Sequence, residues 1–260
     1  MKFVIKLGGA ALENEQILHA CGKAIAELIR DGNQVAVVHG GGVQLTRTLA
    51  QMGKKSEFVA GLRITDRETR DAALMVLAGR VNKSLVAALG SHGQDAVGLA
   101  GGDGNVFRAR KKKTNPDLGF VGEIVAADPR WLEAIWTMGA VPVISSMALG
   151  VDGEYYNINA DEMASACAIS TKADTLVFLT DVPGVKGADG KVMRWLTLGQ
   201  IPALEKQQVV SGGMLPKLNA CREALTHGVK RVRILPAEAA ALLPDLCTTR
   251  VNDGTEVMVA

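Results

Sequence analysis

The chain has 260 residues, enough to bury a large core in one α/β unit or two closely joined lobes. Its 29 basic and 27 acidic residues leave a net charge of +2, and aromatic residues make up 4%. This composition gives neither the basic surface nor the stacking residues of a nucleic-acid-binding protein. The basic cluster Arg108 to Lys113 is the exception, and we interpret it as a solvated hairpin.

Cysteine usage and hydropathy indicate the compartment. Cys21, Cys167, Cys221 and Cys247 lie in apolar, helix-like segments without CxxC spacing, which predicts buried free thiols in a reducing environment. Uninterrupted apolar runs stay below the roughly 18 residues of a membrane span, and no signal peptide precedes the first strand. We therefore expect a cytoplasmic protein without a membrane partner.

The first predicted strand is the apolar run from Phe3 to Leu7, which ends in Gly8 and Gly9. It carries Lys6 near its carboxyl end, where open α/β sheets bind ligands. A lysine in an apolar strand is costly to bury unless an anion meets it, so we favour a phosphate partner. The alternative is a lysine that extends from the strand into solvent.

A second glycine loop follows the next strand. An amphipathic helix is predicted over 13–30 and a buried strand over 34–38, which leads into His39-Gly40-Gly41-Gly42 and a helix to about Met52. Such loops let backbone N–H groups approach an anion at a helix start. Neither loop has the spacing of a dinucleotide fingerprint or a P-loop, and each alone is also compatible with a simple tight turn.

The rest of the chain continues the alternation of strands and helices. Thr65 or Asp66 is predicted to cap a long amphipathic helix that reaches Leu89, and Asp128-Pro129 to begin a helix that reaches Met138. A glycine-rich hairpin region spans 101–122, and a small-residue helix spans 163–171. The predicted strands are 95–99, 123–127, 141–147, 175–179 and 229–235.

Four polar side chains are candidates for a site. Arg63 can clamp a carboxylate through its planar fork, or form an ordinary surface salt bridge. Asn157 lies on an extended segment and Asp161 at the start of a helix, where it could simply be the N-cap. Lys217 lies in the first turn after two glycines, where a phosphate chain would bind, or it is an exposed helix lysine.

Taken together, these segments resemble the ordered motifs of the N-acetyl-L-glutamate kinases, which belong to the amino-acid kinase family. The likeness covers nearly the whole chain. It rests on Lys6–Gly9, His39–Gly42, Gly61–Asp66, Val76–Lys83, Leu118–Glu123, Asn157–Asp161, Thr180–Val185, and Gly212-Gly213-Met214 with Lys217.

The resemblance implies a three-layer αβα sandwich with a mainly parallel open sheet. It also implies ATP-dependent phosphorylation of the γ-carboxylate of N-acetyl-L-glutamate, with Mg²⁺ bound mainly by the ATP phosphates. An N-terminal lobe (1–173) would bind acetylglutamate and dimerise, and a C-terminal lobe (174–260) would bind ATP.

The roles of individual residues are carried over by position. The implied catalytic residues are Lys6, Lys217 and Asp161, with Asp161 holding both ammonium groups. Gly41 and Gly42 would meet the substrate and the moving phosphoryl group, and Arg63 and Asn157 would hold the substrate α-carboxylate. Gly8 and Gly9 would meet the phosphate. The implied ATP-binding residues are Thr180, Asp181, Val182, Pro183, Gly184, Val185, Lys186, Val209, Val210 and Ser211.

The chemistry agrees with this set of residues. The substrate γ-carboxylate has a pKa near 4.3 and is already ionised at neutral pH, so no protein base is needed. The difficulty is to bring two anions together and to stabilise the charge of the moving phosphoryl group. Lysines, backbone N–H groups and a metal ion on ATP provide that stabilisation.

Two alternatives remain open at the level of sequence. One is another acyl-phosphate kinase of this fold, acting on carrier-linked aminoadipate or on aspartate. The other is a non-catalytic sensor on the same scaffold.

Assembly is a further expectation from the resemblance. Arginine-inhibited relatives carry a helix ahead of the first strand, and here that strand begins by residue 3. The sequence therefore predicts an arginine-insensitive homodimer, with the long helix after Asp66 in its interface.

Overall fold

The computed structural model describes residues 1–210, 212–247 and 253–259. Its strands are β1 (Lys2–Leu7), β2 (Gln34–His39), β3 (Phe58–Val59), β4 (Leu62–Arg63), β5 (Ala96–Ala100), β6 (Phe107–Lys111), β7 (Val121–Ala127), β8 (Val141–Ser145), β9 (Met147–Gly150), β10 (Tyr155–Ile158), β11 (Thr175–Thr180), β12 (Trp195–Thr197), β13 (Arg231–Pro236) and β14 (Thr255–Met258).

The helices alternate with these strands. They are α1 (Gly9–Glu13), α2 (Glu15–Arg30), α3 (Gly42–Gln51), α4 (Arg67–Ala73), α5 (Asn82–Gly90), α6 (Arg130–Thr137), α7 (Ala160–Ser170), α8 (Ile201–Lys206) and α9 (Met214–Thr226). A π-helical segment, Leu74–Val81, joins α4 to α5. Short 3₁₀ turns lie at Asp103–Asn105, Leu198–Gln200, Ala237–Leu242 and Pro244–Cys247.

The main sheet has the strand order β12-β14-β13-β11-β1-β2-β8-β5. Its strands pair in parallel except that β14 runs antiparallel to β13. Alternate residues of β1 point to opposite faces: Val4 packs in one core with α7 and α9, while Phe3 and Ile5 pack in another with α2 and α5. The predicted three-layer fold with a mainly parallel sheet is confirmed.

A second β unit covers one end of the sheet. Strands β6, β7, β9 and β10 close into a small barrel, and β3 pairs with β4 as a hairpin. The predicted strand 141–147 is wrong in its extent, because the chain divides at Ser146 into β8 of the sheet and β9 of the barrel. The basic cluster lies on and just after β6, where Arg110 pairs with Glu123 and Lys112 with Glu162, in agreement with a solvated hairpin.

The long helix begins where the sequence predicted. Asp66 is its N-cap and accepts a hydrogen bond from the Thr69 N–H at 2.8 Å. The stretch Arg67–Gly90 is long and apolar enough to cross a membrane by length and composition, although Arg80 and Lys83 interrupt it, and 44% of its most apolar window is buried. Core helices of soluble proteins pass the same test, so we draw no membrane assignment from it.

The sheet order sets the position of the site. From β1 the chain adds β2, then β5 at the edge and β8 between β2 and β5, and then returns to add β11 and β13 on the other side of β1. The boundary between β1 and β11 is therefore the point where strand order reverses, and ligands of open α/β sheets bind outside the carboxyl ends of such strands. The boundary predicted at 173/174 lies between α7 and β11 and stays a prediction.

Buried thiols agree with the sequence interpretation. Cys21, Cys167 and Cys221 are free and buried, and burial raises the pKa of the Cys167 thiol to about 12. The side chain of Cys247 lies outside the described part of the structure.

The cap at Asp66 gives a testable prediction. Asp66→Ala removes the acceptor for the Thr69 N–H and should lower the free energy of unfolding by about 1 kcal/mol, measured by urea denaturation. Asp66→Asn keeps the acceptor oxygen, so its free energy of unfolding should fall much less. Because a hydrogen bond from Lys54 and the cap hold the pKa of Asp66 down at about 2, this contribution is present above about pH 4 and is lost as the pH falls towards 2. Equal losses in both variants would contradict the capping role.

Candidate functional site

Three charged side chains meet on the α7 side of the sheet. Lys6 of β1 lies with its Nζ 2.9 Å from Asp161 Oδ1, and Lys217 of α9 lies with its Nζ 3.1 Å from both carboxylate oxygens. Only 11%, 9% and 6% of the side chains of Lys6, Asp161 and Lys217 are exposed. One carboxylate therefore holds two ammonium groups, and the cluster keeps one net positive charge.

Burial and pairing act in opposite directions on these groups. Burial alone would raise the pKa of the Asp161 carboxyl, but Lys6 and Lys217 together hold that pKa below its usual range. Burial, reinforced by the positive charge of Lys6, lowers the pKa of Lys217. An ammonium that is costly to bury gains most from a nearby anion, so the cluster is suited to an incoming phosphate.

A pocket of about 230 Å³ opens in front of the cluster. Both glycine loops contribute to it. Gly8 donates its N–H to the Leu179 carbonyl at 3.0 Å, and a Cβ there would lie 2.9 Å from that oxygen. Gly41 has φ +146°, and a Cβ would lie 2.7 Å from Leu77 Cδ2. The described lining includes Lys6, Gly8, Gly9, Gly40, Gly41, Gly42, Arg63, Asn157, Asn159 and Asp161.

Arg63 enters this pocket already bonded to the protein. Its guanidinium donates to Ser56 Oγ, to the Gly42 carbonyl at 2.9 Å and to Thr46 Oγ1 at 2.8 Å, and it lies 4.6 Å from the Phe58 ring centre. A guanidinium has five N–H groups, so these three bonds leave two for a ligand. Arg63 is therefore a rigid, buried donor. The alternative of an ordinary surface salt bridge is wrong.

Asn157 and Asn159 have different structural roles. Asn157 of β10 lines the pocket and donates weakly to Thr65 Oγ1 at 3.4 Å. Asn159 is the N-cap of α7, and its Oδ1 accepts from the N–H of Asp161 at 2.9 Å and of Glu162 at 3.2 Å. The alternative in which Asp161 is itself the N-cap is wrong. Asn159 caps the helix, which leaves the Asp161 carboxylate free to bind Lys6 and Lys217.

Two alternatives for the lysines can also be decided. Lys6 is largely buried against Asp161 and does not extend into solvent. Lys217 is buried and lies 5.0 Å from the Phe178 ring centre, so it is not an exposed helix lysine. Because α9 begins at Met214, Lys217 does lie in its first turn, as the sequence indicated.

The residues expected at the nucleotide follow the end of β11. Thr180 is buried and its Oγ1 donates to Asp181 Oδ1 at 3.0 Å, while Asp181, Pro183 and Lys186 are exposed. Gly184 and Val185 are buried, and the Val185 N–H donates to Thr255 Oγ1 at 2.8 Å. Val182 and Val209 are half-buried and Val210 is buried, whereas Ser211 lies outside the described residues.

Sequence reasoning missed several residues at the pocket. Phe58, Val121 and Ser146 line it, and each comes from a different β element or turn. An apolar residue in a strand, or a serine after a strand, carries no chemical signature, so only the folded chain reveals their place at the pocket. His39 was visible as the residue before the second glycine loop, but the sequence assigned it no task.

Comparisons with known proteins agree with this geometry. The chain is 76% identical over 260 residues to an acetylglutamate kinase of Acidobacterium capsulatum, with all of both chains covered, and 54% identical over 258 residues to that of Koribacter versatilis, with 99% of each covered.

Solved structures with the same fold include an N-acetylglutamate synthase from Neisseria gonorrhoeae in complex with coenzyme A and N-acetyl-glutamate. Its TM-score is 0.87 at 25% identity, with 100% of this chain and 59% of that chain covered. A carbamate kinase from Giardia has the fold at a TM-score of 0.70 and 16% identity, with 100% of this chain and 99% of that chain covered. A model of the amino acid kinase family matches residues 1–236. The chain belongs to the amino acid kinase family.

Proposed function

We propose that this enzyme uses ATP to phosphorylate the γ-carboxylate of N-acetyl-L-glutamate, which yields an acyl phosphate and ADP. The observation that carries the proposal is the buried cluster in which Asp161 binds both Lys6 and Lys217 at the mouth of a pocket lined by two glycine loops. The high identity to acetylglutamate kinases supports the choice of substrate.

The proposed mechanism needs charge stabilisation more than proton transfer. The acceptor carboxylate attacks the γ-phosphorus of ATP in line, the new C–O–P linkage forms, and the bond to the ADP oxygen breaks with its electron pair. The ammonium groups of Lys6 and Lys217 offset the charge on the transferring group and the leaving oxygen, and Asp161 keeps them from moving apart. Each group is fixed before the reaction begins, so little reorganisation is required.

We assign the acetylglutamate subsite to Gly41, Gly42, Arg63 and Asn157. Gly41 and Gly42 would also meet the moving phosphoryl group, and Gly8 and Gly9 would meet the phosphate. The nucleotide subsite is assigned to the segment from Thr180 to Lys186 together with Val209, Val210 and Ser211. These two sets divide between an N-terminal lobe, 1–173, and a C-terminal lobe, 174–260.

The substrate nucleotide is proposed to be the Mg²⁺ complex of ATP. Both oxygens of Asp161 are already occupied by lysine ammonium groups, so this carboxylate is a poor metal ligand. Mg²⁺ is commonly bound through substrate phosphates with few protein carboxylates, which fits such a site.

The decisive experiment is an assay of ADP release with hydroxylamine trapping of the acyl phosphate. N-acetyl-L-glutamate, free L-glutamate, L-aspartate and a carrier-linked aminoadipate are supplied in parallel with Mg²⁺ and ATP. Turnover with N-acetyl-L-glutamate is expected. Activity confined to another acid would establish a different acyl-phosphate kinase, and ATP binding without turnover would establish a sensor.

Loss of Lys217 should slow the chemical step. Lys217→Ala is expected to reduce kcat by roughly 100- to 1,000-fold, or about 2.7–4 kcal/mol, with a much smaller change in the KM for acetylglutamate. Steady-state kinetics measures both constants. Lys23→Ala removes an exposed lysine on α2 and serves as the matched control. A kcat equal to that of wild type would remove Lys217 from the site.

Arg63→Lys should act mainly on binding. An ammonium cannot reproduce a guanidinium that bonds Ser56, Thr46 and the Gly42 carbonyl and still faces a ligand. We expect the KM for acetylglutamate to rise by roughly 10- to 100-fold, with a smaller fall in kcat. Arg47→Lys on the exposed face of α3 is the control. An unchanged KM would mean that the substrate carboxylate binds elsewhere.

We further propose a cytoplasmic homodimer. Buried free thiols at Cys21, Cys167 and Cys221 support a reducing compartment. Met75 of the π-helical segment is 63% exposed and Val97 of the edge strand β5 is 40% exposed, which leaves an apolar surface suited to a two-fold contact.

Light scattering at micromolar protein tests the homodimer. The wild type is expected to have twice the chain mass, and Met75→Glu should shift it towards monomer. Met138, which follows α6, is 82% exposed, and Met138→Glu should leave the mass unchanged. A monomeric wild type, or the same mass for all three proteins, would contradict the proposed surface.

A further inference from the structure

We propose that His39 and Asn82 are positioning residues that fix the orientation of the Gly40–Gly41 peptide at the substrate pocket. This inference deepens the proposed function and rests on it, because the N–H of that peptide belongs to Gly41, which the proposed function places against both acetylglutamate and the moving phosphoryl group. Neither side chain lines the pocket, and both are fully buried behind it.

A continuous series of hydrogen bonds runs from Lys83 through Asn82 and His39 to the glycine loop. Lys83 Nζ donates to Asn82 Oδ1 at 3.2 Å, Asn82 Nδ2 bonds His39 Nε2 at 3.0 Å, and His39 Nδ1 bonds the Gly40 carbonyl at 2.8 Å. A further bond, from Asn82 Nδ2 to the Val143 carbonyl at 2.9 Å, anchors the amide to β8.

The donor and the acceptor of each hydrogen bond in this series follow from the groups at the two ends of the series. The Val143 carbonyl can only accept, so the amide nitrogen of Asn82 faces it, and the amide oxygen faces the Lys83 ammonium. The same amide nitrogen then donates to His39 Nε2, which must be unprotonated. His39 is therefore the neutral tautomer with its proton on Nδ1, and that proton is donated to the Gly40 carbonyl. Burial lowers the pKa of His39 to about 4, in accordance with a neutral ring.

Covalent geometry transmits this bond to the pocket. The carbonyl of Gly40 and the N–H of Gly41 belong to one planar trans peptide and point in opposite directions. When His39 draws the carbonyl towards the interior, the Gly41 N–H must point away from it, on the side where Gly41 lines the pocket. A glycine at φ +146° has few steric restraints of its own, so an external bond is needed to select one orientation.

The packing around Asn82 depends on this arrangement. Asn82 begins α5 directly after the π-helical segment, whose Leu77 and Val81 approach Gly41. At Gly98 of β5 a Cβ would lie 1.9 Å from Asn82 Oδ1 and 2.6 Å from Lys83 Nζ. The edge strand thus leaves space for the amide, although Gly98 itself is outside the pocket lining.

Two variants of His39 separate the two bonds. His39→Asn keeps an N–H donor at the position of Nδ1, so it can still bond the Gly40 carbonyl. His39→Gln keeps a polar group at the position of Nε2 and loses the donor to Gly40. We expect kcat to fall by about 10- to 100-fold in His39→Gln, with little change in KM, and His39→Asn to retain about tenfold more activity. Equal kcat values in the two variants, with equal folded fractions, would overturn the inference.

Gly98→Ala tests the same chain from a distance. The added methyl displaces Asn82 without altering the loop, and its effect should follow that of His39→Gln, with a lower kcat and a nearly unchanged KM. If Asn82 and His39 had only a structural role, Gly98→Ala would lower the melting temperature and leave kcat per folded enzyme unchanged. That result would also overturn the inference.

The tautomer provides a readout that needs no turnover. In ¹⁵N-histidine NMR of the full chain at pH 7, His39 should carry its proton on Nδ1 and remain neutral. Wild-type enzyme that fails to phosphorylate N-acetyl-L-glutamate would refute the proposed function and leave this tautomer intact. A His39 protonated on Nε2 would refute the positioning chain even in a fully active enzyme.

Discussion

The site depends on one carboxylate that binds two ammonium groups. Without Asp161, Lys6 and Lys217 would be two like charges in a largely buried volume, an arrangement whose desolvation cost the protein could not offset. With it, the cluster is neutralised in part and keeps a single positive charge. The three side chains that stabilise one another are thus the same three that we propose to stabilise the charge of an incoming phosphate.

Each member of that cluster comes from a different element of the fold. Lys6 is supplied by the strand at which sheet order reverses, Asp161 by the first turn of α7 and Lys217 by the first turn of α9. The cap formed by Asn159 keeps the Asp161 carboxylate free of its own backbone. Small changes in how α7 and α9 pack on the sheet would therefore change the distance between the two ammonium groups.

Much of this could be predicted from the sequence, because the relevant signals are local. Apolar runs that end in glycine identified β1 and β2, and a lysine in such a run indicated an anion. What sequence could not provide were choices made by tertiary contacts. Asn159 and Asp161 are both good capping residues, and only the position of the two lysines decides which one caps.

The same limit applies to the irregular parts of the chain. The segment after Asp66 has an ordinary helical pattern, and nothing in it distinguishes a π-helical stretch from an α-helix. The break at Ser146 between sheet and barrel follows an apolar strand that could have continued. Arg63 as a carboxylate clamp stays a prediction from sequence, and its bonds to Ser56 and Thr46 depend on how the intervening segments fold.

The pairing of β1 with β11 has a consequence for how the chain can be divided. These strands are in register from Phe3 opposite Thr175 to Leu7 opposite Leu179, so the central ladder of the sheet joins the first strand to a segment far along the chain. A fragment that begins at Asp174 would leave one edge of β11 unpaired, with Val177 and Leu179 uncovered by β1 and α2. The segments on either side of residue 174 thus share one sheet, and a gene split there would yield fragments that must associate in order to complete it.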